Sequence, residues 1–370
     1  MIAKEALFFT AKALLKKLIS IPSFSKEESG TAECIATFFT ENGVKPNRIQ
    51  NNIWVQNKHF NNIKPTLLLN SHHDTVKPNS GYTNPPFSPL EIDEKLYGLG
   101  SNDAGGCLVS LAVTFLYFYE ADNLPINLVF AATAEEEISG KNGIELLLPY
   151  LPKIDMGVVG EPTLLQMAIA EKGLLVVDAT VQGVAGHAAR DEGENAIYKA
   201  LKDVQWLQGN PFTKVSTLLG STKATVTIIN AGTQHNVVPA TCNYTIDIRV
   251  NELYSFQEII SLLETNLVAS VAPRSLRLKS SIIPLQHPLV LAGQKLGLSY
   301  YGSPTLSDKA LMPFPTLKIG PGDSARSHTA DEFIYLHEIN EGINTYIFLV
   351  DALIQNFIEN GLVTLSLITK

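Results

Sequence analysis

The chain has 370 residues, 45% hydrophobic and 17% charged, too long for one ordinary core, so two domains are expected. A formal net charge of −8 argues against a nucleic-acid partner, which needs a basic face. Three scattered cysteines, Cys34, Cys107 and Cys242, are a poor basis for a disulfide framework and fit a reducing, cytoplasmic compartment.

The opening stretch, MIAKEALFFTAKALLKKLISIP, places Leu and Ile at helical spacing but interrupts them with Lys4, Glu5, Lys12, Lys16 and Lys17. It predicts an amphipathic helix rather than a signal peptide, and no stretch is long and apolar enough to span a membrane. From residue 50 to about 165, IKPTLLLN, INLVFAATA and MGVVGEPT read as strands, and GGCLVSLAVTFLYFY and GKNGIELLLPYL as helices. Continuous apolar strands alternating with helices predict a mostly parallel sheet covered on both faces. Near residue 172 the texture changes. KGLLVVDATVQGVAG, ATVTIINAGTQ and ATCNYTIDIRVN alternate like half-exposed antiparallel strands, with helices near NAIYKALKDVQWLQ and SFQEIISLLETNLVASV and a last strand at LRLKSSII. Strand–helix alternation then returns with TLKIGPGD and a long helix from HEINEGINTYIFLVDALIQNF. The expected fold is α/β over 1–171 and 284–370, interrupted by an inserted α+β unit over 172–283 with an antiparallel sheet and two helices.

In open parallel sheets, ligands bind beyond the carboxyl ends of the strands. At those ends lie His72, His73 and Asp74 after TLLLN, Asp103 after GLGSN, Glu135, Glu136 and Glu137 after INLVFAA, Glu161 after VVG, and His328 in the loop after TLKIG. Two histidines and three carboxylates suit two divalent ions sharing one bridging carboxylate. Without cations the same acids would repel one another and have to protonate or be solvated. Neighbouring glutamates in an extended segment point opposite ways, so Glu136 and Glu137 are expected to split the work of general base and ligand. His73 faces away from His72 and is expected to be structural; Glu135 is expected to be a solvated or supporting acid. Asp103 could also cap the helix that follows it. Gly98 and Gly100 make no phosphate loop, since no Lys-Ser/Thr follows. His59, His235, His287 and His337 read as structural or exposed.

Taken together, SHHDT, GLGSNDAGG, TAEEEISG, VVGEPT, GVAGHAA, NVVP, DIRV and GPGDSARSHTADEF resemble, in order and from about residue 70 to 333, the co-catalytic zinc aminoacylases. That family includes acetylornithine deacetylase, succinyl-diaminopimelate desuccinylase and glutamate carboxypeptidases. The resemblance implies that His72, Asp103 and Glu161 hold one metal and Asp103, Glu137 and His328 the other. The pair would be zinc, with cobalt or manganese acceptable to the same donors. It implies that Asp74 orients His72, that Glu136 is the general base, and that the inserted unit is a lid and dimerisation domain. His187 would reach the partner subunit's site in a homodimer and polarise the scissile carbonyl, while Asn236 and Arg249 would contact the substrate carboxylate. Glu135 departs from the Asp often found there.

The expected activity is removal of an N-acyl group from an amino acid. GEPT, NVVP and SHTADEF look closer to the acetylornithine and acetyl-lysine deacylases than to the desuccinylases or dipeptidases, which points to N-acyl-ornithine or N-acyl-citrulline in arginine biosynthesis. Arg326 would favour an acyl group bearing its own carboxylate, such as succinyl, or a neutral ureido side chain over ornithine's ammonium, if it faces the pocket; otherwise it would pair with Asp323 or Asp331. A metallo-dipeptidase or carboxypeptidase is the alternative within the chemistry. A catalytically silent metal- or ligand-binding protein is the alternative outside it, and the presence of Glu136 speaks against it.

Overall fold

The structure, a computed structural model, describes residues 4–190 and 192–359. The chain divides into two compact units, one of Met1–Ile169, Ile283–Tyr301 and Ser307–Lys370, the other of Ala170–Ile282 with Gly302–Leu306. Gly302–Leu306 therefore leaves the α/β stretch to which the sequence assigned it. The Lys172 N–H donates to the Ser303 carbonyl at 3.1 Å, and a Cβ on Gly302 would lie 2.2 Å from the Leu218 carbonyl.

The predicted N-terminal helix is α1 (Lys4–Ile19), which buries Leu7, Ala11, Leu14, Leu15 and Leu18 on one stripe. Residues 1–3 of that expectation, and 360–370 of the last α/β stretch, lie outside the described residues. After α2 (Ser29–Glu41) come strands β1 (Asn52–Gln56) and β2 (Thr66–His72), helix α3 (Gly106–Tyr119), then β3 (Asn127–Thr133) and β4 (Met156–Val159). Every residue of β2 and β3 is buried, as their unbroken apolar runs predicted.

The inserted unit follows: β5 (Gly173–Gln182), α4 (Ala196–Gln208), β6 (Lys223–Ala231), β7 (Thr241–Val250), α5 (Phe256–Asn266) and β8 (Ser270–Pro273). Its strands are antiparallel in the order β6-β7-β5-β8, and Leu175, Val177, Ile246 and Ile248 pack with Ala200, Leu207, Ile259 and Leu263 of the two helices. The reading of SFQEIISLLETNLVASV as one helix is corrected here. Asp203 of α4 is buried and accepts the Val268 and Ala269 N–H groups at 2.9 and 3.1 Å, pulling the chain out of the helix and into β8. The last strand predicted at LRLKSSII shrinks to Ser281–Ile282.

The first unit resumes with α6 (Pro288–Lys295), β9 (Thr316–Lys318) and α7 (Leu336–Glu359). Its central sheet runs β1-β3-β2-β4-β9; β3, β2, β4 and β9 are parallel and β1 is antiparallel to β3. Helix α3 packs on β2 and β3 and against α1 and α7. Leu68, Val129, Ala131 and Val159 pack with Ile144 and Leu147. The carboxyl ends of four parallel strands thus share one edge. Among the described residues no helix is long and apolar enough to cross a membrane.

Candidate metal centre

That edge carries the cluster. His72, the last residue of β2, turns its Nε2 toward Asp103 Oδ1 at 3.2 Å and Glu161 Oε1 at 3.8 Å. His328 turns its Nε2 toward Glu137 Oε2 at 2.9 Å and Asp103 Oδ2 at 3.7 Å. The two oxygens of Asp103 therefore face two different histidines. His72 is held from behind: its Nδ1 lies 3.0 Å from the Asp74 carbonyl and 3.4 Å from the Asp74 carboxylate. Asp103 does not cap α3. It sits in a segment of non-helical geometry (φ −113°, ψ 100°), and no side chain caps that helix.

The glutamates of TAEEEISG form a turn, not an extended segment, so strand alternation is not what separates them. Glu135 adopts φ +54°, and three side chains capture four successive N–H groups. Asn52 takes Ala134, Glu28 takes Glu135, and Asp74 takes Glu136 and Glu137 on its two oxygens at 3.0 and 3.2 Å. The same carboxylate that backs His72 thus fixes both neighbouring glutamates. Glu135 is buried rather than solvated, and its carboxylate accepts the Asn142 N–H and amide at 3.2 and 2.8 Å.

The electrostatics call for cations. Burial pushes Glu161 up to about 8, partly opposed by His72. Burial, reinforced by the charge of Glu161, lifts Glu136 well above the carboxylate range, and burial raises Glu137 despite its hydrogen bond from His328. Burial also acts on Asp103, but the hydrogen bond and charge of His72 outweigh it and hold Asp103 low. Glu161 Oε1 is buried with no hydrogen-bond partner. A buried carboxylate oxygen without a hydrogen bond, amid other carboxylates and two imidazoles, belongs to a donor set for divalent metal. His72, Asp103 and Glu137, and likewise His72, Glu136 and Glu161, offer ligand atoms within 4.8 Å of one another.

The remaining candidates divide. His73 hydrogen-bonds Thr31 Oγ1 at 2.8 Å and the Asn51 carbonyl at 2.9 Å, and burial pushes it down to about 4, a structural role. In the inserted unit, the loops of His187 and Asn236 are stitched together, Ala188 N donating to the Asn236 carbonyl at 3.0 Å and Val238 N to the Gly186 carbonyl at 2.9 Å. Both side chains are exposed. Arg249 commits Nε and Nη2 to Asp247 at 2.8 and 3.0 Å, an ion pair within its own strand rather than a free fork for a carboxylate. Arg326 is corrected as well. Its partner is neither Asp323 nor Asp331 but Glu338, at 2.9 and 2.6 Å, and it lies over the rings of Phe333 and Tyr335. A guanidinium already matched in this way gives no reason for an acyl group with its own charge.

Sequence reasoning missed the supports. Glu332 and Asn102 hold the Asp103 loop, and Asp308, buried, accepts from Asn70 at 3.0 Å and Thr133 at 2.6 Å beneath the cluster. Only the ADEF stretch hinted at Glu332, and nothing in its residue type separates it from a surface acid.

Residues 169–273 match the peptidase M20 dimerisation domain. The chain is also similar to acetylornithine deacetylase of Proteus mirabilis, at 29% identity over 313 residues covering 79% of each chain. The inserted unit is thus similar to the dimerisation domain of the M20 peptidases. Among solved structures it resembles a tripeptidase of Staphylococcus aureus (TM-score 0.77, 20% identity, 96% and 100% of the two chains). It also resembles an M20 metallo-carboxypeptidase of Sulfolobus solfataricus (0.73, 16%, 93% and 99%) and a dinuclear metal-binding M20 peptidase of Bacillus subtilis (0.71, 14%, 95% and 99%). These likenesses share the fold seen here, a mostly parallel α/β unit with a separate antiparallel unit that matches a dimerisation domain.

Proposed function

We propose that the chain is a hydrolase of the M20 type that uses two divalent metal ions, zinc by preference, to remove an acetyl group from an N-acetylated amino acid, N-acetylornithine or N-acetylcitrulline in cytoplasmic arginine biosynthesis. The observation that carries the metal reading is the division of Asp103, one oxygen toward His72 and the other toward His328. His72, Asp103 and Glu161 would hold one ion; Asp103, Glu137 and His328 the other. When bound, such a pair supplies Lewis acidity and lowers the pKa of water toward ~7.

Glu136 is the acid–base group in this reading. It is the one cluster carboxylate with no histidine nitrogen in ion-pair range among the described residues, while Asp103 has two and Glu137 and Glu161 have one each. Its backbone is fixed by Asp74 and its carboxylate favours the proton. Such a group takes a proton from the attacking water and returns it to the leaving amine. His187 suits an oxyanion donor. Its Nδ1 accepts the Ala189 N–H at 3.1 Å, which leaves Nε2 as the ring's donor. Asn236 lies beside it and is assigned to the substrate.

A homodimer is supported by the inserted unit. Strand β6 is an edge with Ile228 and Ile229 each 50% exposed, and α4 beside it exposes Tyr198 and Leu201. The acetyl group is preferred to succinyl because Arg326 is paired, and because the relative at 29% identity is an acetylornithine deacetylase. The test is chelation. Metal-free protein should not hydrolyse N-acetylornithine, and two equivalents of zinc should restore turnover; activity that survives verified metal removal contradicts the reading.

A further inference from the structure

The Asp103 loop has no regular structure to aim its carboxylate, yet that carboxylate must face two histidines at once. Glu332 is 2% exposed and binds the loop through three backbone donors. Its Oε1 accepts the Asn102 and Asp103 N–H groups at 2.8 and 2.9 Å, and its Oε2 accepts the Gly100 N–H at 3.0 Å. Its own carbonyl accepts the Gly98 N–H at 2.9 Å. The loop is shaped for this. Gly100 sits at φ +75°, where a Cβ would lie 2.6 Å from Thr75 Cγ2. The side chain of Asn102 then ties the loop to the segment leading to His328, giving its amide to the Asp323 carbonyl at 3.0 Å and accepting the Asp323 N–H at 3.1 Å. Glu332 is itself rooted, because Phe333–Tyr335 after it pairs with Lys95–Tyr97.

Resting on the two-metal reading, we propose that Glu332 is a positioning residue that fixes the bridging carboxylate of Asp103 and thereby sets the affinity of both metal sites. Glu332 touches neither metal ligand side chain nor substrate in this role; it acts through the backbone of residues 100–103. A carboxylate can accept all three N–H groups, whereas a glutamine presents an NH₂ to at least one of them. The displaced loop would carry Asp103 away from His72 and His328 together.

The test is chelator competition on the full chain with Co(II), giving the dissociation constants of the first and second equivalents, together with the magnetic coupling of the di-cobalt protein. In folded Glu332→Gln both equivalents should weaken ~10–100-fold, the usual effect of losing an outer-shell partner, and the coupling through the bridge should fall. Asp203→Asn, which removes a buried carboxylate with two backbone donors in the other unit, should lower the melting temperature and leave both affinities alone. Should Glu332→Gln not fold, Asn102→Ala should weaken both equivalents in the same sense. Unchanged affinities in the folded variant, or equal weakening in Asp203→Asn, overturn the role of Glu332. Wild-type protein that binds fewer than two equivalents overturns the two-metal reading and this proposal with it.

Discussion

Glu136 and Glu137 are adjacent, share one buried anchor and carry the same functional group, yet their surroundings assign them different work. Asp74 holds their N–H groups on its two oxygens, and only Glu137 has a histidine nitrogen at 2.9 Å. Glu136→Gln should keep close to two metal equivalents and lose turnover by ~10²–10⁴-fold, the typical cost of a missing general base. Glu137→Gln should instead lose metal. Elemental analysis beside kcat reads both, and a metal-poor Glu136→Gln with a metal-replete Glu137→Gln would reverse the pair. The ligand candidates were legible because histidines and carboxylates at strand ends are rare unless they have work to do there. Their supports were not, since Glu28, Asn102, Glu332 and Glu338 act only after distant segments meet. Arg326 shows the same limit: its partner lies twelve residues on, across a strand and at the head of a helix, and not among the nearer acids.

At the scale of elements, long apolar runs announced β2 and β3, and period-two alternation announced β5 and β7. Short strands such as β8 stayed hidden, because what ends α5 is a carboxylate on another helix and not a local stop signal. Helix α6 gives a measurable case of local chemistry. His287 caps it, Nδ1 accepting the Leu289 N–H at 3.3 Å, and burial pushes the ring down to about 4. The unfolded chain, with an ordinary imidazole near 6.5, binds a proton first as the pH falls. Stability from this group is therefore complete above ~6.5 and is lost as the pH drops toward the folded value. Between pH 7 and pH 5 the loss should be ~1–2 kcal/mol. His287→Asn, which keeps a capping oxygen, should lose correspondingly less. Urea midpoints at the two pH values measure this, and an identical pH dependence in both proteins would show that His287 does not carry it.

For the whole molecule, the proposal is that pairing of two chains brings the metal centre of one and the His187 of the other into one site. The account predicts a homodimer in which His187 serves the partner subunit's metal centre. Subunit exchange between inactive His187→Ala and inactive Glu136→Gln proteins should then restore activity, since each hybrid holds one site with both groups intact. Verified exchange without recovery would count against service between subunits. The α/β unit and its antiparallel insertion were readable from sequence texture alone, whereas substrate choice was not, because the two arginines offered for it turned out to be paired with Asp247 and Glu338. Substrate choice is also where the solved relatives, peptidases by their descriptions, and the acetylornithine deacetylase pull apart. The most direct measurement is kcat/KM of the zinc-loaded protein on N-acetylornithine, N-acetylcitrulline, their N-succinyl counterparts and a set of unmodified dipeptides. The account predicts that an N-acetyl substrate is cleaved best, by at least tenfold over its succinyl counterpart, a margin of ~1.4 kcal/mol. Faster cleavage of simple dipeptides than of all four acylated amino acids would contradict it.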